Sequence, residues 1–272
     1  MKLITIALAI PLLSSTAPVP AKSDLRYFRQ LREVPAKPYA TGDPVVVNAA
    51  SFLPGVCPGG IAIIFGQNLN NVGIETAARG TPLPDQLAGV SVYVNGIAAP
   101  LYSVSSSNEQ EQITFQVPFE TDTGPGAAQI DVVSHDETTA SVVVDSFTQD
   151  PGIFTYNGFA VAIHMNGSLV TPVDPAFPGE TIVLYTTGLG PLTFDVADGY
   201  PPPSNALAYT VDPFQVLVNS EQCSVLFSGL APGFVGVYQL NLTLPLDLPF
   251  GDLDIQISTP SATSAIAKLS VF

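Results

Sequence analysis

Short stretches with apolar residues at every second position recur along most of this chain. Val92 and Val94 share one side of such a stretch, and Ile113, Phe115 and Val117 share one side of another. A period of two predicts β-strands with one buried face. Turns rich in Pro and Gly separate these stretches, and the chain has 26 Pro and 22 Gly among 272 residues. The pattern therefore predicts an all-β protein.

One of these stretches occurs twice. Pro58-Gly59 precedes the apolar run 61–65, and Pro178-Gly179 precedes the run 182–185, 120 positions later. Each Pro-Gly pair predicts a turn that leads into a strand, because Pro presets its own φ and Gly permits a positive one. The offset stays between 120 and 127 to the end of the chain, so we predict two tandem modules related by internal duplication, residues 45–152 and 153–272. Further matched segments are Val90–Gly96 with Phe214–Ser220, Gln112–Pro118 with Gln239–Pro245, Gly126–Ile130 with Gly251–Ile255, and Ala140–Phe147 with Ala265–Phe272.

The first module contains enough predicted strands for a β-sandwich of about 100 residues. Asn95-Gly96 between two apolar runs is the strongest hairpin signal in the chain. The seam between the modules, residues 150–154, is short and partly apolar, so we expect the modules to touch. The predicted strands of the first module are residues 45–50, 60–66, 89–95, 98–104, 111–118, 127–133 and 140–147.

The first 44 residues differ in composition from the rest. Residues 1–21 read as a secretory signal peptide, with Lys2, an apolar core and a small-residue cleavage site. No cysteine lies near that site, so a lipoprotein signal is excluded, and no later stretch is apolar for long enough to predict a transmembrane helix. Residues 22–44 predict a short amphipathic helix followed by a Pro-containing linker. The helix either lies on an anionic membrane or wall polymer, or packs its apolar side on its own acidic protein. Its apolar side is Leu25, Phe28, Leu31 and Val34, and its basic side is Arg26, Arg29 and Arg32.

Charge is distributed unevenly. The net charge is −15, and from residue 45 onward only Arg79 and Lys268 are basic, against 20 acidic residues. Such a surface repels phosphate backbones, so nucleic acid is not an expected partner. It suits an exported protein at the cell surface or in the surrounding medium, with the periplasm as the alternative location, and it could bind calcium weakly. No other cofactor is expected.

The two cysteines, Cys57 and Cys223, lie one in each module at non-equivalent positions. An exported protein could join them in a disulfide that staples the modules together. The alternative is two buried or free thiols, and the sequence alone does not give their separation.

The sequence contains few of the motifs that mark catalytic sites. The chain has no Gly-x-Ser-x-Gly elbow, no His-Glu-x-x-His and no phosphate-binding loop. His135 falls in a turn before two acidic residues, which favours a solvated turn over a metal site. His164 falls in a strand, half-buried or paired with a neighbour. The carboxylate pairs Glu109/Glu111 and Asp252/Asp254 lie two residues apart and are typical of a solvated strand face. The sequence therefore predicts a protein that is not an enzyme.

Several longer motifs resemble a known family. They are Val46–Phe52, Val92–Leu101, Ile113–Pro118, Pro151–Thr155, Thr187–Pro191 and Gly229–Gln239. Together they resemble the uncharacterised C-terminal domain described from Solibacter proteins, and each half is similar, more weakly, to the IPT/TIG immunoglobulin-like domain. The resemblance implies an immunoglobulin-like β-sandwich in each module, and it implies no catalytic or cofactor-binding residues. The family usually ends large exported bacterial proteins, whereas little precedes the modules here, so we expect no catalytic domain in the same chain.

The expected function is surface binding, adhesion or structural spacing outside the cell, with a surface polymer or a protein as partner. One alternative is a carbohydrate-binding module, with Tyr102, Tyr200 and Tyr209 as its stacking platform. The absence of Trp counts against that alternative. A second alternative is a hydrolase, which would need a cleft that joins His135 or His164 to carboxylates.

Overall fold

The computed structural model describes residues 43–70, 76–107, 110–121 and 126–272. Every helix or strand assigned within those ranges is a β-strand. None of these residues forms a helix long and apolar enough to cross a membrane. The predicted all-β fold of two tandem immunoglobulin-like sandwiches is confirmed. The predicted signal peptide 1–21 and nearly all of the 22–44 segment lie outside the described residues.

The strands differ in length, and the longest have ten and nine residues. In the first module they are β1 Val45–Asn48, β2 Ile61–Gly66, β3 Thr76–Ala77, β4 Val90–Val94, β5 Ile97–Ala99, β6 Leu101–Ser107, β7 Gln110–Gln116, β8 Gly126–Ser134 and β9 Glu137–Ser146. In the second they are β10 Gly152–Ile153, β11 Thr155–Tyr156, β12 Phe159–Ala160, β13 Ala162–His164, β14 Thr181–Thr187, β15 Gln215–Val218, β16 Glu221–Gln222, β17 Ser224–Leu230, β18 Tyr238–Thr243, β19 Gly251–Ser258 and β20 Ala267–Val271.

The two modules share the order of their central strands. The first stacks a sheet of order β1-β2-β7-β6-β3 on a sheet of order β5-β4-β8-β9. The second has the order β10-β14-β18-β17 with β13 beside β14, and the order β11-β12-β20-β19-β15-β16. The central strands β2-β7-β6 therefore correspond to β14-β18-β17, and β5-β4-β8-β9 corresponds to β16-β15-β19-β20. This correspondence follows the sequence offset and supports the predicted duplication.

One predicted strand is divided between the two sheets of the first module. Residues 98–104 were expected to form one strand, but β5 pairs with β4 and β6 pairs with β7, which lie in opposite sheets. Pro100 lies at the crossing, where its lack of an N–H does not cost a ladder bond. In the second module the chain likewise crosses at Val161, between β12 and β13. The hairpin predicted at Asn95-Gly96 is present, and both residues have positive φ.

The hydrophobic core has three main parts. One cluster fills the first sandwich around Ile64, Phe115 and Ile130, and a second fills the other sandwich around Leu184, Leu240 and Ile255. A third cluster lies on the outer face of β14 and reaches the first module at Ala50 and Ile61. The two sandwiches are therefore joined by shared apolar packing as well as by the chain.

Candidate functional site: the module junction and the distal tip

The module junction is the contact between one end of the first sandwich and the loops at the facing end of the second. Its centre is the start of β2. The Ile61 N–H donates to Thr187 Oγ1 at 3.0 Å, and the Thr187 hydroxyl donates to the Gly236 carbonyl at 2.8 Å. Both bonds are buried. One hydroxyl from β14 thus satisfies a strand-end donor of the other module, which an apolar side chain there could not do.

Asp150 lies in the seam between the modules and is hydrogen-bonded to Asn48 of the first module. Asn48 Nδ2 donates to the Asp150 carbonyl at 2.7 Å and to Asp150 Oδ2 at 3.3 Å. Asn48 Oδ1 accepts from the Ala50 N–H at 2.8 Å, so the amide is used on both sides. Burial raises the pKa of Asp150 to about 6, and the bond from Asn48 offsets part of that shift. The seam is therefore fixed, and the expected contact between the modules is present.

Two glycines permit the close approach at the junction. Gly188 has φ +77°, and a Cβ there would lie 1.9 Å from the Asp150 carbonyl oxygen. Gly236 has φ +61°, and a Cβ there would lie 2.9 Å from Ile61 Cγ1. Distances below 3 Å are not tolerated by real side chains, so both positions require glycine on steric grounds as well as backbone grounds.

A cavity of about 390 Å³ opens beside the junction. Glu120 and Asp195 line it from the two modules, together with Phe119 and Thr121. Next to Phe119, Asp198 Oδ1 accepts from the Phe119 N–H at 2.9 Å. Burial, a hydrogen bond with Glu120 and the charges of Glu120 and Asp85 raise the pKa of Asp198 to about 7. These carboxyl groups come from distant parts of the sequence, so no local motif predicted them.

Both histidines have hydrogen-bond partners within the second or the first module. Buried His164 has its Nδ1 2.5 Å from Glu180 Oε1 and its Nε2 3.2 Å from the Asp174 carbonyl. Burial alone would lower the pKa of His164, but the Glu180 bond, the Asp174 carbonyl and the two carboxylate charges together raise it. Because both ring nitrogens have partners, His164 holds the β13–β14 loop, and its expected pairing with a neighbour is confirmed. His135 lies in the β8–β9 turn with φ +52° and contacts Ser134 Oγ at 3.0 Å.

The three predicted stacking tyrosines do not form the expected platform. Tyr102 lies at the junction, where its hydroxyl donates to the Val235 carbonyl and burial raises its pKa. The second module covers it, so the prediction that Tyr102 is an open stacking residue is wrong. Tyr200 and Tyr209 are exposed, and the Tyr209 ring lies 5.4 Å from that of Phe227.

The cysteines are both free and buried, which agrees with the alternative of two thiols rather than the disulfide. Cys57 lies at the junction near Asp150, Gly60 and Gly190, and burial raises its pKa. Cys223 lies in the core of the second sandwich, where burial raises its pKa to about 12. Burial therefore keeps both thiols protonated.

The predicted carboxylate pair Asp252/Asp254 lies on a solvated strand face. Asp254 pairs with Lys268 at 2.5 Å on an exposed surface, and Asp252 accepts from Ser270 at 2.9 Å. Glu109 lies outside the described residues. Across residues 43–70, 76–107, 110–121 and 126–272, no three His, Cys, Asp or Glu side chains are grouped so as to hold a metal ion.

The distal tip is the end of the second module that faces away from the junction. We define it by five side chains that the structure leaves exposed: Val173, Phe177, Leu246, Phe250 and Phe272. Val173 is 94% exposed and Leu246 is 80% exposed. Backbone bonds join the loops that carry them, from Gly179 N–H to the Pro245 carbonyl and from Phe272 N–H to the Ala176 carbonyl. The Phe250 and Phe272 rings stack 5.2 Å apart. Sequence alternation did not predict this tip, because its residues lie in loops.

Comparison with known proteins gives no family. No protein-family model and no curated protein matches the chain. Among solved structures, SGBP-B of the Bacteroides ovatus mixed-linkage glucan utilization locus, in complex with a mixed-linkage heptasaccharide, is 12% identical over 80% of this chain and 43% of its own, with a TM-score of 0.32. Domains 5–6 of the S-layer protein SbsC are 13% identical over 85% of this chain and 99% of their own, with a TM-score of 0.25. The I9–I11 tandem of titin is 12% identical over 80% of this chain and 62% of its own, with a TM-score of 0.22. The chain spans less than two thirds of the SGBP-B and titin chains, and at these identities and scores the likenesses carry no argument about function.

Proposed function

We propose that this chain is a non-enzymatic structural and binding module of an exported protein, in which two immunoglobulin-like sandwiches act as one rigid unit. Its role is to hold a binding surface at a fixed distance and orientation outside the cell. The observation that supports this proposal is the module junction. Shared apolar packing and the Thr187 bridge join the modules, and the Asn48–Asp150 bonds fix the seam, where a flexible tether would suffice for independent domains.

The chemistry of the chain supports binding over catalysis. His164 is occupied at both nitrogens, and both thiols are buried and protonated. The raised pKa of Asp198 belongs to a carboxyl cluster that lies where the modules meet. A junction that must exclude water explains these shifts without a reaction. Membership of the Solibacter-type family and export through residues 1–21 are part of the same proposal.

Rigidity can be measured directly by the distance between two spin labels. Val143 in the first module and Leu226 in the second are 66% and 64% exposed, so the double variant Val143→Cys/Leu226→Cys can be labelled while the buried native thiols stay protected. A single narrow distance distribution is expected by pulsed electron paramagnetic resonance. The matched Gly188→Ala version should broaden it, because the added Cβ meets the Asp150 carbonyl. A broad distribution in the otherwise native chain would refute the rigid unit.

Binding is tested by retention of residues 22–272 on isolated cell envelopes and on insoluble polysaccharides, with calcium and with chelator. Saturable retention on one material is expected from a binding module. Loss of retention with chelator would place a cation in the bound complex. No retention on any material would leave structural spacing as the function and remove surface binding from the proposal.

A further inference from the structure

The cavity beside the junction is lined by side chains from both modules. Glu120 and Thr121 come from the end of the first module, and Phe194 and Asp195 come from the loop after β14. Its volume of about 390 Å³ lies in the range of about 300 to 1,000 Å³ that is typical of small-ligand sites. Most of the lining residues are apolar, so a few polar groups determine which ligand fits.

The polar group that points to a ligand is the hydroxyl of Thr121. This residue lines the cavity and is only 2% exposed. The Thr121 N–H donates to the Pro118 carbonyl at 3.2 Å, which holds the residue in a turn at the cavity wall. Its hydroxyl oxygen has no hydrogen-bond partner among the described residues. Leaving a buried hydroxyl unpaired is unfavourable, so a ligand that hydrogen-bonds to it gains affinity there.

The carboxyl groups around the cavity favour a ligand with positive charge. Glu120 and Asp195 are exposed and line the cavity from different modules. Besides burial, a hydrogen bond with Glu120 and the charges of Glu120 and Asp85 raise the pKa of Asp198. None of the described residues that line the cavity is basic. Negative charge is therefore concentrated here, and a bound cation would reduce the repulsion.

The surroundings fit an organic cation better than a metal ion. No three His, Cys, Asp or Glu side chains of the described residues are grouped so as to hold a metal. Phe119 and Phe194 instead offer apolar walls for an aliphatic chain, and a phenyl face also attracts an ammonium group. An ammonium group has three donors, which matches the three kinds of acceptor that Glu120, Asp195 and Thr121 supply.

We propose that this cavity binds an ammonium group on an aliphatic chain. The ammonium group lies against Glu120, Asp195 and the Thr121 hydroxyl, and the chain lies against Phe119 and Phe194. A lysine side chain and a free alkyl diamine share this chemistry. The inference rests on the proposed function, because it names the class of ligand that the rigid unit binds. Since the carboxylates come from two modules, a ligand that binds both also stabilises the contact between the modules.

Isothermal titration calorimetry of residues 22–272 at low salt tests the proposal. The probe 1,5-diaminopentane should bind saturably, and the neutral molecule of equal length, 1,5-pentanediol, should bind at least about tenfold more weakly. Glu120→Gln and Asp195→Asn should each weaken binding of the diamine at least about fivefold. Glu221→Gln is the matched control, because it removes an exposed carboxylate that does not line the cavity, and it should bind as the native chain does.

The variant Thr121→Val separates binding from folding. It replaces an unpartnered buried hydroxyl with a methyl group of similar size, so the melting temperature should stay the same or rise. The affinity for the diamine should nevertheless fall at least about threefold, because an acceptor for the ammonium group is lost. A purely structural role of Thr121 would not change the affinity, so native affinity in this variant would overturn the proposal.

A capped peptide, acetyl-Gly-Lys-Gly-amide, distinguishes the two sources of the ammonium group. Tighter binding of the peptide than of the diamine would identify a lysine side chain, and the reverse order would identify a free amine. Absence of saturable binding by both probes would overturn the proposal, and so would equal affinity for the diamine and the diol. The spin-label distance is measured without either probe, so failure here would leave the proposed rigid unit standing.

Discussion

The corresponding ends of the two modules have the same local design and opposite surroundings. Each has a Pro-Gly turn before its central strand, and in each a large apolar side chain covers the turn glycine, Phe119 over Gly59 and Leu246 over Gly179. The first end is partly buried against the second module, and the second end lies in solvent. Local sequence therefore determines the conformation of this end, whereas the burial of its apolar side chain depends on the neighbouring module.

The largest change in stability is expected at Gly188, a position with left-handed backbone conformation where the two modules have different surroundings. Gly188 corresponds to Asn68, and both have positive φ, but only Gly188 lies against the Asp150 carbonyl. Gly188→Ala should lower the free energy of unfolding by about 3 kcal/mol or more. Gly96→Ala is the matched control, with φ +82° and nothing within 4 Å, and it should cost about 1 kcal/mol. Equal losses in urea unfolding would contradict the tight junction.

Truncating the two counterpart side chains compares a covered end with an open one. Phe119→Ala should cost about 2 to 3 kcal/mol, because it removes apolar contact with the second core. Leu246→Ala should change stability by less than about 0.5 kcal/mol. Thermal unfolding of both variants measures the difference. Similar losses would show that the tip is covered in the isolated chain.

Removing the Thr187 hydroxyl tests the polar part of the junction. Thr187→Val leaves the buried Ile61 N–H without its acceptor, so a loss of about 1 to 3 kcal/mol is expected. Thr193→Val removes an exposed acceptor for the Tyr209 N–H and should cost less than about 0.5 kcal/mol. A Thr187→Val chain as stable as the control would mean that water replaces the bridge.

A smaller effect is expected from pH. The pKa values of Asp150 and Asp198 are raised to about 6 and about 7, so folding favours their protonated forms. Their contribution is fully present near pH 4 and is lost as pH rises through those values, which lowers the melting temperature. His164, with its raised pKa, acts in the same direction. Asp198→Asn should flatten the profile between pH 5 and 8, and an unchanged profile would remove Asp198 as its source.

The sequence predicted features that depend on neighbouring residues. Alternation and Pro-Gly turns located most strands, and Asn95-Gly96 located a hairpin, because these signals are local. The sheet to which a strand belongs is not local. The crossing at Pro100 therefore split one predicted strand into β5 and β6.

Most of the candidate site could not be predicted from the sequence. Tyr102 was predicted to be exposed, because alternation within one module gives no information about contacts with a second module. The contact of Glu120 with Asp198 joins residues from different modules, and no spacing indicates it. The tip depends on which end of the second module faces away from the first, and no local pattern gives that orientation.

The burial of phenol groups at the junction gives this protein a built-in optical reporter. The chain has nine Tyr and no Trp, so tyrosine dominates its near-ultraviolet spectrum. Tyr102 is bonded to the Val235 carbonyl, and the Tyr238 hydroxyl donates to the Gly190 carbonyl at 2.7 Å. Separation of the modules would hydrate the Tyr102 ring and blue-shift its absorbance while both sandwiches remain folded. Difference spectroscopy on the unlabelled protein can therefore follow hinge opening apart from unfolding.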